Sequence, residues 1–84
     1  MLITIYGLPK CSQCKVVTNY LTDYNIHFEY KEVGKDITPT DLNTLAHRTV
    51  RSVPFIMVDG SEAIFGELKA LIDIHNHLDT LHSL

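Results

Sequence analysis

The chain has 84 residues, of which 45% are hydrophobic and 20% are charged, and its formal net charge is −3. This is the size of one small globular domain, which we expect to be a monomer over residues 1–84. A mildly acidic chain without a basic stripe is not a general nucleic-acid binder, and its apolar runs are too short for a signal peptide or a membrane span, so we expect a cytoplasmic protein without a membrane partner.

The beginning of the chain predicts a strand, two cysteines and a helix. Residues 2–6 are rich in β-branched and aromatic residues and stop at Gly7, which is typical of a short buried strand. From residue 12 to about residue 24, apolar side chains recur every three or four positions, which predicts an amphipathic helix. Cys11 and Cys14 therefore stand where the strand gives way to the helix.

This Cys-x-x-Cys pair is the most informative chemical feature of the sequence. In a reducing cytosol, two cysteines are more often catalytic or metal-binding than a structural cross-link. Free N–H groups and the helix dipole at a helix N-terminus favour the thiolate of Cys11, and Lys10 and Lys15 add positive charge. Cys14, one helical turn later, would be less exposed. We predict that Cys11 attacks a disulfide and that Cys14 resolves the resulting mixed disulfide.

The middle of the chain predicts a second strand and a second helix. Apolar and polar residues alternate over 26–33, which indicates a strand. A strand, a helix and a strand this close together predict a parallel crossover, with the dithiol at the C-terminal end of the first strand. Thr38 and Pro39 suit the cap and the first position of a helix that ends near His47.

The last third of the chain predicts a hairpin and a final helix. Residues 55–58 and 62–65 have the composition of two strands, joined by a turn at Asp59-Gly60. Apolar residues on one side predict a helix over 67–78, after which we expect the chain to fray.

The order β-α-β-α-β-β-α, with the cysteine pair after the first strand and Val53-Pro54 before the third, resembles the glutaredoxins. The resemblance covers nearly the whole chain. It implies a thioredoxin-like α/β fold with a central four-stranded mixed sheet, and a disulfide oxidoreductase with no bound cofactor. It also implies a cis Val53–Pro54 bond facing the dithiol, where the Val53 backbone could pair with a peptide or with glutathione as co-substrate.

Two positions depart from the usual glutaredoxin pattern. Glutaredoxins commonly carry Pro-Tyr between the cysteines, whereas Ser12-Gln13 resembles the small redoxins that reduce ribonucleotide reductase and are recycled by thioredoxin reductase. After the fourth strand, glutaredoxins typically have Gly-Gly and then an aspartate that holds glutathione, whereas this chain has Gly66-Glu67. Gly66 and the first N–H groups of the last helix could still bind a carboxylate. The predicted substrate-binding residues are Lys10, Gln13, Val53, Pro54, Gly66 and Glu67.

The resemblance leaves the partners open. Either glutathione or thioredoxin reductase would restore the dithiol, and the clients would be disulfide-bearing proteins, with ribonucleotide reductase as one candidate. The alternative function is metal binding through the same cysteines. His77 and His82 have the His-x4-His spacing of some zinc sites, but 62 residues separate Cys14 from His77, against roughly 12–15 in a zinc finger. Some glutaredoxins also bridge an iron–sulfur cluster between two chains, here through Cys11.

Overall fold

The computed structural model describes the backbone of residues 1–82 and the side chains of residues 1–74. Its elements follow the predicted order of strands and helices. They are β1 Ile3–Gly7, α1 Ser12–Asp23, β2 Glu29–Glu32, α2 Pro39–Ala46, β3 Phe55–Val58, β4 Ser61–Ala63 and α3 Phe65–His82.

The strands form one mixed sheet in the order β2-β1-β3-β4. The predicted parallel pairing of β1 with β2 is confirmed, with Ile5 opposite Tyr30. Strand β3 runs antiparallel to both β1 and β4. Because β1 has a neighbour on each side, its C-terminal end at Gly7 delivers the chain to the cysteines from the middle of the sheet.

Apolar residues alternate across the sheet and so divide the core between its two faces. On one face, Ile3 and Ile5 of β1 pack with the buried residues of α1 and α3 in the larger cluster. On the other face, Tyr6 packs with Leu42 of α2 in a smaller cluster. Helices α1 and α3 therefore cover one face of the sheet and α2 covers the other.

The local signals for α2 and for the hairpin are confirmed. The Thr38 hydroxyl accepts a hydrogen bond from the third helical N–H at 3.1 Å, and Pro39 opens the helix. His47 ends it in the left-handed region, at φ 58°. Asp59 and Gly60 have φ values of 50° and 84°, as a tight two-residue hairpin turn requires.

The predicted boundaries of the last two elements were wrong. Strand β4 ends at Ala63 and α3 already begins at Phe65. The reason is a cap that hydropathy does not show, in which the Ile64 N–H donates to Oε1 of Glu67 at 3.0 Å. Such a back-reaching glutamate is one half of a capping box, and it starts the helix two residues before the predicted start. The helix also continues to His82, where the prediction had the chain fraying after residue 78.

Strand β2 is shorter than the predicted 26–33 because pairing with β1 sets its length. The ladder begins where Glu29 lies opposite Thr4. Beyond the other end of the strand, Val33 forms an isolated bridge with Ile37. No helix in the described part of the chain is long and apolar enough to cross a membrane.

Candidate active site

The two cysteines occupy the predicted positions at the start of α1. Cys11 is the N-cap residue, with extended backbone, and its sulfur accepts a hydrogen bond from the Cys14 N–H at 3.0 Å. The pair is joined as a disulfide, with Cα atoms 5.2 Å apart. Cys11 is partly exposed, whereas Cys14 is only 2% exposed. An approaching disulfide can therefore reach Cys11 and is shielded from Cys14.

The charges around Cys11 favour an anionic sulfur. The first turn of α1 contains no acidic residue, and Lys10 and Lys15 flank the pair as exposed cations. The Cys14 N–H already points at the Cys11 sulfur. A helix N-terminus with neighbouring lysines is the usual environment of a reactive thiolate.

An open groove of about 530 Å³ lies in front of Cys11. Val53 forms part of its wall, although it is far from the cysteines in sequence. The Val53–Pro54 peptide bond is cis, as the resemblance implied. The complete lining is Leu8, Pro9, Lys10, Cys11, Ser12, Gln13 and Val53.

A second cleft of about 330 Å³ continues from Gln13 and Val53 past Pro54. At its edge, Arg48 forms an ion pair with the Glu62 carboxylate. Nε donates to Oε2 at 3.1 Å, and Nη2 donates to Oε1. This hydrogen bonding lowers the pKa of Glu62 and raises that of Arg48. The charge of Arg48 is thus already paired with a carboxylate.

A third groove of about 320 Å³ lies between the loop at Leu8 and α2. It shares Leu8 and Val53 with the groove in front of Cys11, so the two form one continuous surface. Arg51 lines it, and no acidic side chain does.

The structure brings three of the six predicted substrate-binding residues to the groove in front of Cys11 and a fourth to the cleft beside it. Lys10, Gln13 and Val53 line the front groove, and Pro54 lines the adjoining cleft. Gly66 and Glu67 lie in the first turn of α3 and line neither cavity. The Glu67 carboxylate holds the helix cap. Substrate contact by any of these residues stays a prediction.

Two residues beside the dithiol were missed by sequence reasoning. A Cβ on Gly7 would lie 2.6 Å from Sγ of Cys14 and would overlap the Tyr30 hydroxyl. That hydroxyl donates to the Leu8 carbonyl at 2.9 Å. The sequence indicates only that Gly7 ends a strand and that Tyr30 is one of the apolar residues alternating with polar ones in the second strand. No local sequence pattern links either residue to Cys14.

The described part of the chain contains no set of side chains that supports the alternative function of zinc binding. Within it, no group of three or more histidine, cysteine or acidic residues is arranged to hold a metal ion. The side chains of His77 and His82, which that alternative uses, lie outside the described residues.

Comparison with known proteins is consistent with the geometry of this site. Two of the similar solved structures illustrate this, each with 26% sequence identity to the chain. The thioredoxin-like protein BC3987 superimposes with a TM-score of 0.66, over 82% of this chain and 97% of that one. Reduced Escherichia coli glutaredoxin superimposes with a TM-score of 0.64, over 94% and 99%. Glutaredoxin 1 from Francisella tularensis, complexed with cacodylate, shares the fold at 20% identity, a TM-score of 0.63, and coverage of 90% and 96%.

A search among curated proteins gave no match to the chain. The sequence model of the glutaredoxin family, however, matches residues 3–63, which is most of the chain and includes both cysteines and Val53-Pro54. The chain therefore belongs to the glutaredoxin family, with its thioredoxin-like fold and its thiol–disulfide oxidoreductase chemistry.

Proposed function

We propose that this protein is a cytoplasmic, monomeric reductase of protein disulfides and glutathione mixed disulfides, working through Cys11 and Cys14 without a bound cofactor. The observation that carries the proposal is the asymmetry of the pair. Cys11 caps α1 at the edge of an open groove, and Cys14 is buried behind it. One sulfur is placed to attack, and the other is placed to resolve.

The reaction takes two thiol–disulfide exchanges. The Cys11 thiolate attacks a client disulfide, R–S–S–R′, forming Cys11–S–S–R and releasing R′–S⁻, which takes a proton from solvent. Cys14 then loses its proton and attacks the Cys11 sulfur, releasing R–S⁻, which is protonated in turn. Two electrons pass from the dithiol to the client, and the Cys11–Cys14 disulfide seen in the structure is the oxidised product.

The groove supports this order of events. We propose that the client segment lies beside Val53, whose backbone N–H and C=O pair with it as an added strand. Lys10 and Gln13 then contact the client next to its disulfide, because they line the groove on the Cys11 side. Cys14 reaches the mixed disulfide from within the protein.

We propose that thioredoxin reductase, rather than glutathione, is the principal reductant. A glutathione carboxylate at the start of α3 would meet the Glu67 carboxylate, which already accepts the Ile64 N–H there. Like charges at one helix end oppose such binding. Ser12-Gln13 supports the same choice by its likeness to the redoxins that reduce ribonucleotide reductase, which we propose as a client.

The test follows NADPH consumption with a disulfide substrate in two parallel assays. One contains glutathione and glutathione reductase, and the other contains thioredoxin reductase. We expect faster turnover in the second, and none in either assay with Cys11→Ser. Faster turnover with glutathione would refute the choice of reductant, and turnover that survives Cys11→Ser would refute the role of the dithiol.

An iron–sulfur protein would give a different result. Protein bridged through Cys11 to a cluster would be coloured after purification, and the colour would be lost in Cys11→Ser. We expect the purified protein to be colourless and to contain two free thiols after reduction, because the chain has two cysteines. A coloured preparation with iron and sulfide in equal amounts would favour the cluster.

A further inference from the structure

Tyr30 connects the second strand to the loop that carries the dithiol. It lies in β2 opposite Ile5 of β1. Its hydroxyl reaches past the end of β1 and donates to the Leu8 carbonyl at 2.9 Å, across 22 residues of sequence. The bond fixes the phenol oxygen beside the turn that leads into Cys11.

The absence of a side chain at Gly7 lets this oxygen approach the resolving cysteine. One methyl carbon added at Gly7 would overlap the Tyr30 hydroxyl and lie 2.6 Å from Sγ of Cys14. The phenol oxygen and the Cys14 sulfur therefore border the same small space. Both residues also line one cavity of about 320 Å³ on the β2 side of the dithiol.

The hydrogen-bonding capacity of the phenol determines whether its oxygen donates to the Cys14 sulfur or accepts from it. Tyrosine has one O–H, and here it is donated to the Leu8 carbonyl, so only the oxygen lone pairs remain for other partners. A thiol can donate to such an acceptor and a thiolate cannot. Burial and the nearby Glu32 carboxylate raise the pKa of Tyr30, so the phenol stays neutral where cysteines titrate.

The other titratable groups facing this cavity are few. They are Cys11 and Lys15, and no carboxylate lines the space. Lys15 is exposed on α1, and its cation favours a thiolate on a neighbouring sulfur. The cavity is also lined by Thr18, whose hydroxyl donates to the Lys15 carbonyl, whereas the Tyr30 oxygen is the atom nearest to a Cβ placed on Gly7.

We infer that Tyr30 is a positioning residue for the redox pair, whose hydroxyl, held by the Leu8 carbonyl, accepts a hydrogen bond from the Cys14 thiol in the reduced protein. The proton is thereby kept on Cys14 while Cys11 carries the thiolate. The inference rests on the proposed roles of the two cysteines. It adds a residue that stabilises the dithiol relative to the disulfide, because the disulfide has no S–H to donate.

The test compares Tyr30→Phe with Tyr24→Phe. The first removes only the hydroxyl beside Cys14, and the second removes a hydroxyl from an exposed tyrosine at the end of α1. Each protein is equilibrated with glutathione redox buffers, and its dithiol and disulfide fractions are measured. We expect Tyr30→Phe to favour the disulfide by about threefold to tenfold, the range of one neutral hydrogen bond, which makes the couple roughly 15–30 mV more reducing. Tyr24→Phe should leave the equilibrium unchanged.

Single-thiol proteins separate this role from a general change in the loop. In a Cys11→Ser background, Tyr30→Phe should lower the pKa of the Cys14 thiol, measured from the ultraviolet absorbance of the thiolate against pH, which does not require a reagent to reach the buried sulfur. In a Cys14→Ser background, the same change should leave the titration of Cys11 unaltered. An unchanged redox equilibrium, or equal shifts in the two thiols, would overturn the inference.

These measurements stand apart from the proposed function. Equilibration with glutathione buffers needs no client protein and no reductase, so failed client reduction would refute the proposed function and leave the role of Tyr30 still measurable. Thermal unfolding of Tyr30→Phe is followed in parallel, since the loss of the Leu8 bond alone would lower stability without moving either thiol titration.

Discussion

Gly7→Ala is expected to destabilise the oxidised protein because the new methyl group would clash with neighbouring side chains. It would lie 2.6 Å from Sγ of Cys14, well inside van der Waals contact, and would also overlap the Tyr30 hydroxyl. Tyr30 is 36% exposed and can swing away at the loss of its bond to Leu8. Cys14 is 2% exposed and is tied to Cys11, so its sulfur cannot move as freely.

The expected cost follows from these two contacts. Losing a neutral hydrogen bond costs about 0.5–1.5 kcal/mol, and overpacking a close-packed site costs about 1–3 kcal/mol. We therefore expect the free energy of unfolding to fall by about 2–3 kcal/mol, measured by urea denaturation of the oxidised protein at neutral pH. In a domain of this size, each 1 kcal/mol lowers the melting temperature by about 4–8 °C.

Gly66→Ala is the matched control. A Cβ on Gly66 meets nothing within 4 Å, and the residue lies in the first turn of α3. Alanine is the better helix former, so this variant should be neutral or slightly more stable. If Gly7→Ala lost less than about 0.5 kcal/mol, the close packing of Gly7, Tyr30 and Cys14 would be refuted.

Three further changes test other parts of the structure. Thr38→Ala removes the cap of α2 and should lower the free energy of unfolding by about 0.5–2 kcal/mol, measured by urea denaturation. Glu62→Gln breaks the ion pair with Arg48. That pair lowers the pKa of Glu62 in the folded protein. The stabilisation that the pair gives is therefore present at neutral pH and is lost as the pH falls through the lowered pKa. The stability difference between wild type and Glu62→Gln should therefore vanish in acid. Cys14→Ser should accumulate a covalent adduct with the client through Cys11, detected by mass spectrometry.

Each of these three predictions has an experimental outcome that would contradict it. Thr40→Ala, one residue past the start of α2, is the control for the cap; alanine is the better helix former, so this variant should not lose stability, and an equal loss there would contradict the cap as the cause of the Thr38→Ala effect. A stability difference for Glu62→Gln that persists in strong acid would rule out the ion pair as its cause. Adducts that form as readily without Cys11 would contradict its role as the attacking sulfur.

Local signals were sufficient for the elements that carry the dithiol. The β-branched run before Gly7, the periodicity after Cys11 and the Thr38-Pro39 start each depend on neighbours within a few residues, and each is confirmed. The position of Cys11 at the N-terminus of α1 agrees with the same interpretation. The hairpin was predictable because Asp59-Gly60 suits the positive φ angles of a tight turn.

The features that were missed depend on contacts that sequence patterns do not display. The early start of α3 depends on one side-chain bond from Glu67 to the Ile64 N–H, in a stretch that hydropathy assigns to a strand. The environment of Cys14 depends on Gly7 and Tyr30, which come together only when β1 and β2 pair. Local patterns find the cysteines, and the pairing of strands determines what surrounds them.

The central claim is that Cys11 is the accessible, activated sulfur and Cys14 the buried resolving one. Its most direct test is alkylation of the fully reduced protein with a small amount of iodoacetamide, as a function of pH, followed by peptide mass mapping. We expect the label on Cys11 first, at pH values below those at which a free cysteine reacts, with Cys14 labelled only after unfolding. Equal labelling of both cysteines in the folded protein, or earlier labelling of Cys14, would contradict the account.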